Sequence, residues 1–109
     1  MRPVAAISVL AVLAASPTLA AEEMPVFRLE MRDGVMEPSR IEVPADKPFK
    51  LEITNTGKTP AEFESGPLKR EKVLAAGGSS AIVFRSVESG EYEFFDDFHP
   101  EARGTLVAK

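Results

Sequence analysis

One short segment near the end of the chain contains most of the side chains that could bind a metal ion. Asp96, Asp97 and Glu101 lie there together with His99, the single histidine of the protein. Carboxylates crowded this closely repel one another, whereas a bound cation removes the repulsion and can take the imidazole as a nitrogen ligand. The segment therefore predicts a site for a metal ion.

Asp96 stands at the end of a predicted strand whose other side chains on the same face are aromatic. Successive strand side chains point to opposite sides, so Tyr92, Phe94 and Asp96 share one face, which the two rings indicate is buried. A buried carboxylate needs a partner, because an unpaired buried charge costs several kcal/mol or becomes protonated. A metal ion is one partner. The alternative is that Asp96 caps its own turn through backbone amides while His99 is an ordinary loop residue.

Three residues earlier in the chain are further candidate ligands. Glu62 and Glu64 flank Phe63 on a strand that can end near the acidic loop. If Phe63 packs inward on a regular strand, both glutamates face solvent, so a ligand role requires a bend at this strand end. Met36 could supply a thioether, although core packing is the more common role of such a methionine.

The elements that must position these residues are strands. Short alternating stretches separated by turn residues predict an all-β Greek-key sandwich or barrel of about seven strands. The strands are expected at residues 27–32, 41–43, 49–54, 61–64, 81–84, 91–96 and 103–108. Leu68–Ala76 could form a helical turn, but it is too short to stand without tertiary support.

Residues 1–20 have the layout of a cleaved secretory signal peptide. Arg2 precedes an apolar run from Val4 to Ala15, and small residues lead to a cleavage point after Ala20. The run is shorter than the roughly 20 residues that a membrane span requires, so a retained anchor helix is the less favoured alternative. We expect one folded domain, residues 21–109, exported to the periplasm without a membrane anchor.

Charge and composition narrow the function classes. Removing the signal takes away Arg2, so the net charge of −4 for the whole chain becomes −5 for the domain, and nucleic acid and anionic membranes are poor partners. The chain has no cysteine, so its core must hold it together without disulfides. Its serines lack a nucleophile-elbow sequence and Gly77-Gly78 lacks a phosphate-loop signature, which argues against a hydrolase or a nucleotide-binding protein.

Four segments resemble the cupredoxin family, and in particular its EfeO-type branch found with bacterial iron-uptake systems. Pro38–Ala45 looks like the entry segment of the family, and Ile53–Gly57 looks like the strand leading to its first ligand. Gly90–Asp96 and Gly104–Val107 look like its final hairpin. The order and spacing of these segments carry the resemblance across most of residues 21–109.

The resemblance also implies where a metal would bind. Blue-copper members carry histidine near the position of Glu62, cysteine near Asp96, histidine near His99, and methionine shortly before the glycine at Gly104. Only His99 is unchanged, and without a thiolate the usual blue-copper centre cannot form. The resemblance therefore implies a carboxylate-rich copper or iron site in a cupredoxin-like fold.

From these observations we expect a metal-binding protein that assists iron uptake or oxidises ferrous iron. Its partners would be an inner-membrane iron permease or a periplasmic iron-binding protein. One alternative is a copper carrier or buffer that handles the ion without turnover, and another is a metal-free structural or interaction module. These hypotheses differ in whether the protein catalyses the repeated oxidation of ferrous iron. The sequence does not distinguish them, so it assigns no enzyme activity.

Overall fold

The computed structural model describes residues 2–6, 11 and 24–109. Most of the predicted signal peptide and its cleavage point after Ala20 lie outside the described residues. The described part of the chain forms nine β-strands: β1 Val26–Arg32, β2 Val35–Glu37, β3 Arg40–Val43, β4 Phe49–Asn55, β5 Ala61–Ser65, β6 Arg70–Leu74, β7 Ser79–Phe84, β8 Gly90–Asp96 and β9 His99–Ala108. Across these same residues, none belongs to a helix of the length and apolarity needed to cross a membrane.

The strands form two sheets that pack face to face. One sheet has the order β2-β1-β4-β7, and the other has the order β3-β9-β8-β5-β6. The β1/β4 and β3/β9 pairs are parallel, and the remaining neighbours are antiparallel. This architecture confirms the predicted all-β sandwich.

Two of the nine strands were not expected as strands. β2 lies between the first two predicted strands, where no strand was expected, and it pairs antiparallel with the end of β1. The segment in which a helical turn was considered contains β6 instead, paired with β5 along its whole length. Both are short strands at the edges of their sheets, and four of the five residues of β6 are exposed, so neither shows the regular apolar alternation that reveals an inner strand.

The core lies between the sheets and follows from the alternation of the inner strands. In β4 every second residue is buried, and β5 repeats the pattern. The largest fully buried apolar side chains are Phe49, Phe63, Phe94, Leu29, Met31, Leu51, Ile53 and Leu106. Burying one such side chain stabilises the fold by about 1.5–3 kcal/mol. Phe63 and Phe94 join β5 to β8 with ring centroids 5.4 Å apart, directly beneath the predicted site.

Three turns meet at one end of the sandwich, which we call the pole. They are the β1–β2 turn at residues 33–34, the β4–β5 link at residues 56–60, and the β8–β9 turn at residues 97–98. The buried amide of Asn55 fixes the link, because it donates to the carbonyls of Thr59 at 2.9 Å and Leu74 at 3.1 Å. Its side-chain oxygen accepts from the Gly57 N–H at 3.0 Å. The loops at the pole are therefore anchored to the sheets.

Candidate metal centre

The Asp96 carboxylate lies inside the pole, as its place in the strand predicts. It is 1% exposed, and each of its oxygens has a different set of partners. Oδ1 accepts the Glu62 N–H at 2.9 Å and the Phe98 N–H at 3.0 Å. Oδ2 lies 3.0 Å from Nδ1 of His99. A hydrogen bond to a charged group contributes about 1.5–3 kcal/mol. The Asp96 carboxylate therefore stabilises the contact between β5, the β8–β9 turn and β9.

A register shift brings His99 to the same side as Asp96. On β8 and β9, Phe95 pairs with Arg103, but the next residue, Asp96, pairs with His99. Residues 100–102 are thus extra on β9 and form a bulge. In a regular strand His99 would share the outward face of Arg103, four residues away. The bulge turns the His99 side chain inward, so that it is 25% exposed. Bulges near functional sites commonly redirect a side chain in this way.

Gly34, on the opposite sheet, leaves an opening beside the imidazole. A methyl group at Gly34 would lie 3.2 Å from Oε1 of Glu101 and 3.6 Å from Cδ2 of His99. The glycine has a φ of +88°, a conformation that side chains disfavour. Cβ and Cδ2 of His99 and Oε1 of Glu101 therefore border this space. We call it the Gly34 opening.

Asp33 braces the pole next to this opening. Its Oδ1 accepts the Thr59 hydroxyl at 2.7 Å and the backbone N–H groups of Thr59 and Lys58, each at 3.0 Å. These bonds, led by the Thr59 hydroxyl, lower the pKa of Asp33, with a smaller contribution from the nearby charge of His99. The β1–β2 turn is therefore fastened to the β4–β5 link, and Gly34 is held in place.

Glu62, Glu64 and Asp97 form a separate group on the outer face of the sheet, which we call the outer triad. One ligand atom from each lies within 4.8 Å of the others. Phe63 packs inward on a regular strand, so the two glutamates beside it point outward. Partial burial first, and then the negative charge of Asp97, raise the pKa of both glutamates. The outer triad is thus a group of mutually repelling carboxylates without a nitrogen donor.

The predicted ligands therefore occupy three different places. Asp96 contacts His99 inside the pole, and the exposed Glu101 approaches Gly34 as His99 does, whereas the outer triad faces solvent. Met36 is 7% exposed and belongs to the apolar core, with its Cα paired to that of Met31. This is the packing role that the sequence left open for it.

The sequence reasoning missed Asp33 and Gly34 as parts of the site. They form the β1–β2 turn of the other sheet, and neither was among the candidate ligands. An Asp-Gly pair is a common turn signal and indicates no ligand. Their closeness to His99 and Glu101 arises from the packing of the two sheets, which no local spacing encodes.

The donor atoms at the pole decide which metal centres the site can hold. A thiolate copper centre does not fit, because the chain has no cysteine and Asp96 already uses both oxygens in hydrogen bonds. The donors that the pole offers beside Gly34 are an imidazole and a carboxylate, which suit ions that accept nitrogen and oxygen ligands. His99 and Glu101 would hold such an ion, with Asp96 behind the imidazole.

Comparison with known sequences gives a family and one relative. Residues 4–108 match the family described as Cupredoxin-like domain. An uncharacterised protein of Rickettsia prowazekii (strain Madrid E) is 35% identical over 81 residues, which are 73% of this chain. The match spans 65% of the length of that relative.

Comparison with solved structures gives the same fold at low sequence identity. Reduced auracyanin from Roseiflexus castenholzii superposes with a TM-score of 0.67 and 13% identity, covering 77% of this chain and 96% of auracyanin. The metal-binding domain of the Cu(I)-exporting P-type ATPase CopA of Streptococcus pneumoniae gives 0.68 and 14%, covering 77% and 84%. A purple cupredoxin from Nitrosopumilus maritimus gives 0.57 and 18%, covering 75% and 98%.

Proposed function

This chain belongs to the cupredoxin-like domain family, and on that premise we propose that it binds a metal ion at the pole through His99 and Glu101. One observation carries the proposal. The buried carboxylate of Asp96 holds one edge of the imidazole at 3.0 Å, while the opposite edge borders the Gly34 opening beside Glu101. A histidine held from behind by a carboxylate is the usual arrangement of a metal-binding imidazole in proteins.

The donor chemistry favours an oxidised ion. The site offers nitrogen and oxygen, and the thioether of Met36 is packed in the apolar core. Soft sulfur ligands select Cu(I), whereas imidazole and carboxylate suit Cu(II) and iron, with Cu(II) favoured on affinity. A bound ion would supply Lewis acidity and a one-electron redox couple, and the chain would supply the ligands and their orientation.

We further propose that the protein is exported to the periplasm and assists iron uptake. The signal-like segment at residues 1–20 and the resemblance to the EfeO-type branch support this proposal. In this role the copper-loaded domain would accept one electron from each ferrous ion and pass it to molecular oxygen, or the domain would hand a bound ion to a membrane permease or a periplasmic iron-binding partner. A copper carrier is the second candidate, supported by the copper proteins among the structural neighbours.

Calorimetric titration of residues 21–109 with Cu(II), Fe(III) and Zn(II) tests metal binding. We expect Cu(II) to bind more tightly than about 100 µM, which corresponds to roughly −5.5 kcal/mol. If every ion binds more weakly than that, the proposal is wrong and the metal-free interaction module is the better account.

Turnover separates the two metal-handling roles. Ferrous iron is added in excess over copper-loaded protein under air, and the loss of Fe(II) is followed in time. Loss of many equivalents supports ferrous iron oxidation, whereas loss of one equivalent or less supports the carrier. The His99→Ala variant with the same amount of added copper is the control for oxidation by free copper.

A further inference from the structure

We infer that Asp96 is a positioning residue, which fixes the tautomer of His99 so that Nδ1 carries the proton and Nε2 keeps a lone pair with which it can bind an ion. The inference rests on the proposed function for the role of that nitrogen in metal binding. The tautomer is a property of the metal-free protein and can be measured without any ion.

The two oxygens of Asp96 are not equivalent, and this asymmetry determines the tautomer. Oδ1 already accepts two backbone donors, the N–H groups of Glu62 and Phe98, whereas Oδ2 has, among residues 2–6, 11 and 24–109, only Nδ1 of His99 within bonding distance. A carboxylate only accepts hydrogen bonds, so Nδ1 must carry the proton. A neutral imidazole carries one N–H, which leaves Nε2 with a lone pair.

The same backbone donors make the outcome of an isosteric substitution predictable. In Asp96→Asn the amide oxygen must remain at the Oδ1 position, because an NH₂ group there would face the two N–H donors. The NH₂ group then takes the Oδ2 position and donates toward Nδ1 of His99. Nδ1 becomes the acceptor, and the ring proton moves to Nε2. Nε2, the nitrogen proposed to bind the ion, then carries a hydrogen and has no free lone pair.

Asp97→Asn is the matched control. It removes the same charge one residue away, but Asp97 is exposed, and its side chain belongs to the outer triad. A change in net charge alone would affect both variants, whereas a change in the tautomer is expected only for Asp96→Asn.

The test is long-range ¹H–¹⁵N correlation of the His99 ring in metal-free protein at about pH 8, where an ordinary imidazole is neutral. We expect the proton on Nδ1 in the wild type and Asp97→Asn, and on Nε2 in Asp96→Asn. Competition titration with Cu(II) should then give an affinity about 10- to 100-fold weaker for Asp96→Asn, the usual effect of losing a carboxylate behind a histidine ligand.

A wild-type ring with the proton on Nε2 would overturn the inference, and so would an unchanged tautomer in folded Asp96→Asn. If Asp96→Asn does not fold, the wild-type spectrum alone decides the tautomer. If the tautomers are as expected but the wild type binds no Cu(II), the positioning role of Asp96 stands and the proposed metal-binding function fails.

Discussion

Carboxylates lie both at the inner side of the pole and in the outer triad, but one is buried and hydrogen-bonded and the others are crowded at the surface. Asp96 is buried and has three hydrogen bonds, whereas Glu62, Glu64 and Asp97 are crowded on the surface and repel one another. Glu62 takes part in both regions, since its backbone N–H faces Asp96 while its carboxylate points outward. The face of the sheet on which a carboxylate lies, rather than its spacing along the chain, therefore determines whether it is buried and hydrogen-bonded or exposed.

The comparison also separates two ways in which a cation could be attracted. The outer triad offers negative charge alone, which exposed acidic groups commonly do without binding an ion. The inner region offers an oriented imidazole and a carboxylate beside an opening in a braced frame. Preorganised ligands hold metal ions more effectively than mobile charges, so we place the metal site inside.

The largest expected effect is a loss of stability in the Asp96→Ala variant. This change leaves three part-buried donors, the Glu62 and Phe98 N–H groups and His99 Nδ1, without their acceptor. Each unsatisfied donor costs about 1–3 kcal/mol, so we expect the free energy of unfolding to fall by about 3 kcal/mol or more. The exposed Asp97→Ala should change it by less than about 0.5 kcal/mol. Urea unfolding checks both, and equal losses would remove the distinction between the two regions.

A middle-sized effect is expected from filling the Gly34 opening. In Gly34→Ala the new methyl group would press on Oε1 of Glu101 and approach His99, so we expect Cu(II) affinity to fall about 10-fold, or roughly 1.4 kcal/mol. Gly77→Ala is the control, because Gly77 has a similar φ of +77° but no atom within 4 Å of the added methyl group. Both variants carry the backbone strain, and only Gly34→Ala should lose affinity in a Cu(II) titration. A similar loss in both would indicate strain rather than occupation of the opening.

The smallest effect is expected from removing the charges of Glu62 and Glu64 in the outer triad. This change should raise the stability of the fold at neutral pH but not at acidic pH. Glu62 and Glu64 have raised pKa values, so their contribution to folding is fully present below the ordinary value of 4.5 and is lost as pH rises through the raised value. The double change Glu62→Gln, Glu64→Gln removes the repulsion. We expect a small rise in the urea midpoint at pH 7 and no difference from the wild type at pH 3. A decrease at pH 7 would mean that the triad stabilises the metal-free fold.

Part of the candidate site can be predicted from the local sequence pattern, and part depends on how distant segments pack together. The period of two along β8 is enough to predict that Asp96 faces inward with Phe94. The same rule gives the outward direction of Glu62 once Phe63 is taken as buried. His99 needs a bulge, which depends on how β8 and β9 pair rather than on residue types. The Gly34 opening depends on the contact between two sheets, so it could be found only in three dimensions.

The most direct test of the account is the electron paramagnetic resonance spectrum of the copper(II)-loaded domain, residues 21–109. The spectrum is compared among the wild type, His99→Ala and the double variant Glu62→Gln, Glu64→Gln. We expect hyperfine coupling to one imidazole nitrogen in the wild type, its loss in His99→Ala, and an unchanged spectrum in the double variant. A signal that survives in His99→Ala and changes in the double variant would place copper at the outer triad and contradict the account.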